Sequence, residues 1–294
     1  MHLGSQLSQI CQNIHLTFLE FALNWFCVRY EIYSFATGEM LFGLSDICAK
    51  VLLTLILVNA TVESAQNERV NALSTIASDM ETELNNSDAL LSKMMPQEIL
   101  DQIKAGKATE AQEYDCVTIF FSDITNFTVI SSQTSTKEML ATLNALWVEY
   151  DKIAKKWGMY KVETIGDAYL GVTGCPERVP DHAIRATQFS VDIMAMISQF
   201  KTAMGSSIAI RIGLNSGPIT AGILGTENPH WCVVGDTVNT ASRMESTSKP
   251  MMIHISESTQ KLIAKSGIFN ISEPDVLNIK GKGSMVTYWV HGRL

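Results

Sequence analysis

The chain has 294 residues, 46% of them hydrophobic, and a formal charge of -8 at pH 7. That is room for one large domain and an accessory segment, and a mean hydropathy of +0.12 is high for a wholly soluble protein. The acidic balance and the lack of a Lys/Arg-rich tract exclude nucleic acid as a partner, because a phosphate backbone needs a basic surface, yet leave a mononucleotide with bound metal open.

Six scattered cysteines, Cys11, Cys27, Cys48, Cys116, Cys175 and Cys232, have no CxxC spacing, which fits reduced, mostly buried thiols and gives no zinc framework. Residues 1–14 lack the basic start and compact apolar core of a signal peptide. His15 to Ala36 is apolar and aromatic but interrupted by Glu20, Asn24, Arg29 and Glu31, which predicts a helix with one polar face, in a bundle or at a membrane surface. Met40 to Val58, MLFGLSDICAKVLLTLILV, is long enough to cross a bilayer, and its only charges are Asp46 and Lys50. They fall at i,i+4 on one helical face. Ionisable groups at membrane depth point to a function, here a carboxylate as counter-ion to an amine; the plainer reading is a self-neutralising pair in a helix bundle.

DICAK followed by an apolar half-helix resembles the last helix of microbial rhodopsins. The resemblance implies Lys50 as the retinal-bearing lysine, Asp46 as counter-ion, and the preceding segment with Trp25 and Tyr30 as the sixth helix. That family has seven membrane helices and this stretch has room for about two. Residues 1–60 are therefore expected to be the end of a photoreceptor's membrane portion, attached to a membrane through residues 15–58 and unable to complete a retinal pocket by themselves.

From Thr61 the composition turns polar. Val70, Leu73, Ala77, Met80, Leu84, Ser87, Leu91 and Met94 alternate spacings of three and four, the seam of a coiled coil. The seam is thin, which favours a weak parallel dimer over a rigid stalk; an amphipathic helix packed on its own domain is the alternative. Pro96 is expected to end this helix, with a short second helix and Gly106 closing a linker over 61–106.

The domain over 107–294 opens on DCVTIFFSDITNFT, Asp115 to Thr128. Val117 to Phe121 predicts a strand buried on both faces that stops at Ser122 and Asp123. A carboxylate at the end of a core strand is held rigidly at a sheet rim, a usual way to present a hard divalent cation to a phosphate, although most such aspartates only cap the next helix. Downstream, YKVETIGDAYLGV predicts a hairpin with an Ile165-Gly166 link and Asp167 at its turn. If that hairpin lies beside the first strand, Asp123 and Asp167 meet at one edge and can share metal ions.

A helix over Lys137–Trp157 precedes the hairpin. A helix from about Asp181 to Phe200 and a strand in SIAIRIGLNSG follow it, so the order is the βαββαβ of ferredoxin-like α+β folds. In HWCVVGDTVNTASRMES, Asp236 can cap a helix that sets Asn239 and Arg243 on one face. Such an Arg can offset charge on a phosphoryl group and such an Asn can orient a ribose, although the same pair on most helices is solvated surface. LNIKGKGSMVTYWV puts Lys280 and Lys282 in a glycine-bracketed turn suited to a polyphosphate tail, or simply an exposed hairpin.

In order and spacing, FFSDIT, KVETIGDAY, RIGLNSGP, GDTVNTASRMES and IKGKG resemble the class III nucleotide cyclases, in particular the eukaryotic-type guanylyl cyclases, from about Leu90 to Gly292. The resemblance implies conversion of GTP to 3′,5′-cyclic GMP and pyrophosphate in a homodimer, formed through the cyclase domain and the coiled coil, with sites shared between subunits. It implies two Mg²⁺ or Mn²⁺ ions on Asp123, Asp167 and the Ile124 carbonyl. Asn239 and Arg243 become catalytic residues, and Phe127 and Lys280 substrate contacts. Guanine selection in the family goes with Glu and Cys at the positions of Glu163 and Cys232, and adenine with Lys and Asp or Thr. Asn126 stands where many relatives have Gly; Asn tolerates a left-handed turn, so the metal loop is expected intact. The resemblance further places the cyclase domain in the cytoplasm, as the output of a light-regulated receptor. A non-catalytic nucleotide-binding partner domain, a retinal-binding photosensor and an adenylyl cyclase are the competing readings.

Overall fold

The computed structural model describes residue 19 and residues 35–92, 94–106, 110–202 and 205–294, with side chains described from residue 43 onward in the first of these stretches. The chain divides into two units, 1–89 and 90–294. The helix expected over His15–Ala36, with Trp25 and Tyr30, lies almost wholly outside the described residues.

In the first unit the apolar and polar stretches form one helix, α1 (Phe35–Leu91). Among the described residues it is the one helix long and apolar enough to cross a membrane, by length and composition. Lys50 Nζ lies 2.5 Å from Asp46 Oδ2, as the i,i+4 spacing predicts. The seam residues Val70, Leu73, Met80, Leu84 and Met94 are all exposed on the single chain. Pro96 does not terminate α1, which ends earlier, at Leu91; it is the residue before α2 (Gln97–Lys104), where its fixed φ and missing N–H cost nothing.

The second unit is built on β1 (Gln112–Ile124), α3 (Phe127–Ser132), α4 (Thr136–Trp157), β2 (Tyr160–Ile165), β3 (Ala168–Thr173), α5 (His182–Gln199) and β4 (Ile210–Leu224). Then come β5 (His230–Val234), α6 (Asp236–Ser246), β6 (Ile253–Ser256), α7 (Glu257–Ile263), β7 (Phe269–Ile271), β8 (Asp275–Ile279) and β9 (Gly283–Arg293). The strands form one sheet in the order β2-β3-β1-β4-β6-β9-β7, with β5 on β4 and β8 on β9. Its first four strands and the helices between them are the βαββαβ unit; the strands after β4 extend the sheet.

β1 is buried on both faces, as its run of β-branched and aromatic residues requires, and its alternation sorts two cores. Phe120 joins Leu146, Tyr150, Phe189, Ile193 and Ile212 under α4 and α5. Val117 and Ile119 join Leu170, Val172, Trp231 and Ala241 on the face that carries α6. Ser135 and Glu138 make a reciprocal capping box at the start of α4, and Gly158 ends it in the left-handed conformation at φ 65°.

Two glycines of β4 let α6 lie directly on the sheet. A Cβ on Gly213 would come within 2.0 Å of the Glu245 nitrogen, and one on Gly217 within 2.8 Å of Thr237 Oγ1. Residues four apart on a strand share a face, so these gaps make a seat under both ends of the helix. Of the four described cysteines only Cys175 is fully buried, while Cys48 and Cys116 are exposed, which corrects the expectation of mostly buried thiols. Cys116 lies beside the irregularity in β1–β4 pairing between Tyr114 and Val117.

Candidate active site

The strand ladders bring the two aspartates together. β1 pairs with β3 from Thr118↔Thr173 to Ser122↔Tyr169, and the same register carried two residues further sets Ile124 opposite Asp167. The hairpin closes on Ile165↔Ala168, so its two-residue turn is Gly166-Asp167 and not Ile165-Gly166; Gly166 supplies the positive φ, 66°, that such a tight turn needs.

Asp123 and Asp167 lie within hydrogen-bonding reach of each other. Asp167 is pushed up to about 7, first by burial and then by the hydrogen bond with and charge of Asp123, against the pull of its own and Ile124's N–H groups. Two carboxylates this close repel each other, and a cation between them would relieve that repulsion. The donors available, two carboxylates with the Ile124 carbonyl at the strand end, are all hard oxygens, so they fit Mg²⁺ or Mn²⁺ and not a thiolate or imidazole metal. Among the described residues no larger His/Cys/Asp/Glu group is arranged to hold a metal. Asn126, which follows this strand end, is left-handed at φ 58°, ψ 29°, as expected of an Asn replacing Gly.

Two further charged side chains belong to this cluster and were not singled out from the sequence. Arg211 is the cross-strand partner of Asp123 in the β1–β4 ladder, and its Nη2 lies 2.9 Å from Asp123 Oδ2. The same nitrogen is 3.0 Å from Glu245 Oε1 near the end of α6. Glu245 is pushed up to about 7, first by burial, then by Asp123 and Asp167, with Arg211 opposing. A sequence signal existed for Arg211, since RIGLNSG opens on it in an otherwise apolar strand, but its partner is remote along the chain.

Glu163 and Cys232 are also neighbours. They sit on β2 and β5, and the Glu163 charge, after burial, raises the Cys232 thiol. Glu163 Oε2 lies 3.5 Å from His230 Nε2. On α6, Thr237, Thr240, Ala241, Met244 and Glu245 face inward, leaving Asn239 exposed and Arg243 half-buried on the outer side. Neither side chain makes a hydrogen bond or ion pair among the described residues.

Asp236 does not cap α6: the cap position is Gly235, and Asp236 is the first helical residue, where its carboxylate pairs with Lys282. Gly235 has φ 147°, a backbone conformation that residues with a side chain rarely adopt. Lys282 thereby ties the β8–β9 turn to the start of α6, and Lys280 in the same turn stays exposed. Phe127 opens α3 half-buried and, with Ile124, Ile130 and Met139, lines a cavity of about 310 Å³.

Comparison with known proteins gives the family. The family model for the adenylate and guanylate cyclase catalytic domain matches residues 109–292. The crystal structure of the guanylate cyclase domain of RhGC from Catenaria anguillulae in complex with GTP is 70% identical, with a TM-score of 0.60, covering 62% of this chain and all of that one. A non-canonical dimeric guanylyl cyclase domain of the RhoGC fusion protein from Blastocladiella emersonii is 68% identical, with a TM-score of 0.58, covering 62% of this chain and 99% of that one. A receptor-type guanylate cyclase of Caenorhabditis elegans, gcy-28, is 41% identical over 207 residues, 70% of this chain and 16% of the relative. Human atrial natriuretic peptide receptor 2 is 38% identical over 213 residues, 71% of this chain and 20% of the receptor. The chain thus spans about a fifth or less of the curated receptors it matches. By the family match and by these likenesses, the chain belongs to the adenylate and guanylate cyclase catalytic-domain family, with a catalytic domain of the class III guanylyl cyclase type.

Proposed function

We propose that the chain converts GTP to 3′,5′-cyclic GMP. Cyclisation forms a bond from the ribose 3′-oxygen to the α-phosphorus, breaks the bond to the β-bridging oxygen, and releases pyrophosphate and a proton. The observation that carries this reading is the convergence of Asp123, at the end of β1, with Asp167, at the turn of the hairpin that also carries Glu163. Asp123, Asp167 and the Ile124 carbonyl would hold Mg²⁺ or Mn²⁺, which when bound lowers the pKa of the 3′-hydroxyl and offsets charge on the α-phosphate.

The remaining roles belong to this chain's own side chains. Glu163 accepts hydrogen bonds from guanine N1–H and the exocyclic amine, with Cys232 beside it. Adenine offers no such donors, and the unpaired carboxylate would penalise it. Asn239 orients the ribose, and Arg243 offsets charge on the reacting phosphate. Lys280 holds the terminal phosphates on a turn anchored through Lys282 and Asp236, while Phe127 backs the loop that follows Asp123.

The outer-face position of Asn239 and Arg243 supports a site completed by a second copy, so that a homodimer has two sites and a monomer none. Residues 61–106 would form the coiled coil that joins the copies. Residues 1–60 would anchor the dimer in a membrane with the cyclase domain, 107–294, in the cytoplasm. The DICAK motif, with Asp46 and Lys50, and the likeness to rhodopsin-linked cyclases favour a photoreceptor as the regulatory partner.

Assaying the purified chain with GTP and with ATP in Mn²⁺ tests the reaction: cyclic GMP as the main product is expected, and cyclic AMP as the main product would overturn it. Mixing Asp123→Ala with Asn239→Ala chains tests the sharing. Recovery of activity in the mixture is expected, and failure to recover it contradicts shared sites.

A further inference from the structure

Arg211 is held unequally by its two acidic neighbours. Its Nη2 donates to Asp123 Oδ2 at 2.9 Å, a well-formed hydrogen bond. Glu245 Oε1 is in ion-pair contact with the same nitrogen at 3.0 Å but without a well-formed hydrogen bond, and Arg211 Nε, also buried, donates none. A buried donor and a buried acceptor of one ion pair, each short of a well-formed hydrogen bond, are costly, and a shift of the guanidinium towards Glu245 would serve both. Glu245 is 8% exposed, and its backbone is fixed by the close seat of α6 on Gly213. The mobile member of the trio is therefore the guanidinium.

A divalent cation on Asp123 would repel the guanidinium from that carboxylate. We propose that Glu245 is a positioning residue: it is the second seat of Arg211, taken up when a cation claims Asp123, so that the metal need not displace a positive charge into an unpaired state. The inference rests on the metal reading given above. An ordinary buried ion pair would affect stability alone, whereas this arrangement makes metal affinity depend on Glu245, and only while Arg211 is present.

The test is the dissociation constant of Mn²⁺, without nucleotide, measured by electron paramagnetic resonance on the full chain in detergent. Glu245→Gln is expected to weaken Mn²⁺ binding about tenfold, and by less than about twofold when Arg211→Gln is already present. Glu245→Asp, which keeps the charge but withdraws it from Arg211, is expected to fall between wild type and Glu245→Gln, and it serves as the test should Glu245→Gln fail to fold. Unchanged affinity in both Glu245 variants overturns the proposal. So does a loss of equal size with and without Arg211, which would make Glu245 a mere contributor of negative charge. Asp123→Asn separates the two readings: if it leaves Mn²⁺ binding unchanged, the metal reading itself fails and this inference with it.

Discussion

Two ionic groupings in this chain make opposite arrangements of the same side-chain types. Asp46 and Lys50 lie one turn apart on α1, equal in charge, with side chains 33% and 50% exposed on the single chain. Asp123, Asp167, Glu245 and Arg211 come from β1, the β2–β3 turn, α6 and β4, three acids to one base, in half-buried or buried positions. The first grouping balances its own charge within one turn of one helix. The second carries an excess of negative charge that only the rigidity of the sheet keeps together, and such imbalance is what a cation-binding site requires before its cation arrives. The lesson is that a paired charge visible in the sequence says less about chemistry than an unpaired excess assembled by the fold.

That contrast is sharpest when the excess is removed. Asp123→Asn or Asp167→Asn is expected to lower cyclic GMP formation by at least roughly 10³-fold, since a metal's charge stabilisation supplies several kcal/mol. Steady-state assays at saturating Mn²⁺ check this, and melting curves should show the variants folded. Arg243→Ala is expected to cost about 10²-fold in kcat, with a smaller change in KM, since the role proposed for it calls on its charge most in the transition state. Glu163→Gln should lower kcat/KM for GTP by about tenfold or more and narrow its lead over ATP, measured with the two nucleotides in competition.

A milder effect concerns stability. Burial holds His182 and His254 below the ordinary value of 6.5. Between the lowered and the ordinary value the unfolded chain binds more protons than the folded one. The contribution of these neutral imidazoles is therefore full above about pH 6.5 and is lost as pH falls through and below that point. The melting temperature should drop on acidification through this range, and His182→Gln should flatten the slope. Lys50→Ala breaks the balanced pair and is expected to change the cyclase activity of the full chain in the dark by less than about twofold, which activity assays on membranes check. A large loss there would erase the distinction between the two groupings.

Legibility in the sequence follows the range of the interaction. Val117–Phe121, the hairpin around Asp167 and the left-handed Asn126 were readable because their signals are local: side-chain shape, turn chemistry and period. Asn239 and Arg243 were readable because four residues on a helix return to one face. Glu245, on the same helix, was not, since nothing local tells an inward acid that meets Arg211 from a solvated one. Gly213 and Gly217 look like any strand glycines until a helix is laid over them. Asp236 misled because Ser, Thr, Asp and Asn are the usual caps; Gly235 already occupies that place, and the carboxylate answers a lysine from a turn far along the chain. The extension of α1 to Leu91 without a break was hidden by its change of composition, which alters the helix's surroundings and not its backbone.

The most direct test of the account is anomalous scattering from crystals of the chain grown with Mn²⁺ and a non-cyclisable GTP analogue. The expected result is manganese bonded to the carboxylates of Asp123 and Asp167 and the carbonyl of Ile124, at about 2.0–2.2 Å for a hard cation on oxygen. Manganese bound elsewhere, with those two side chains turned away from the nucleotide phosphates, would contradict it.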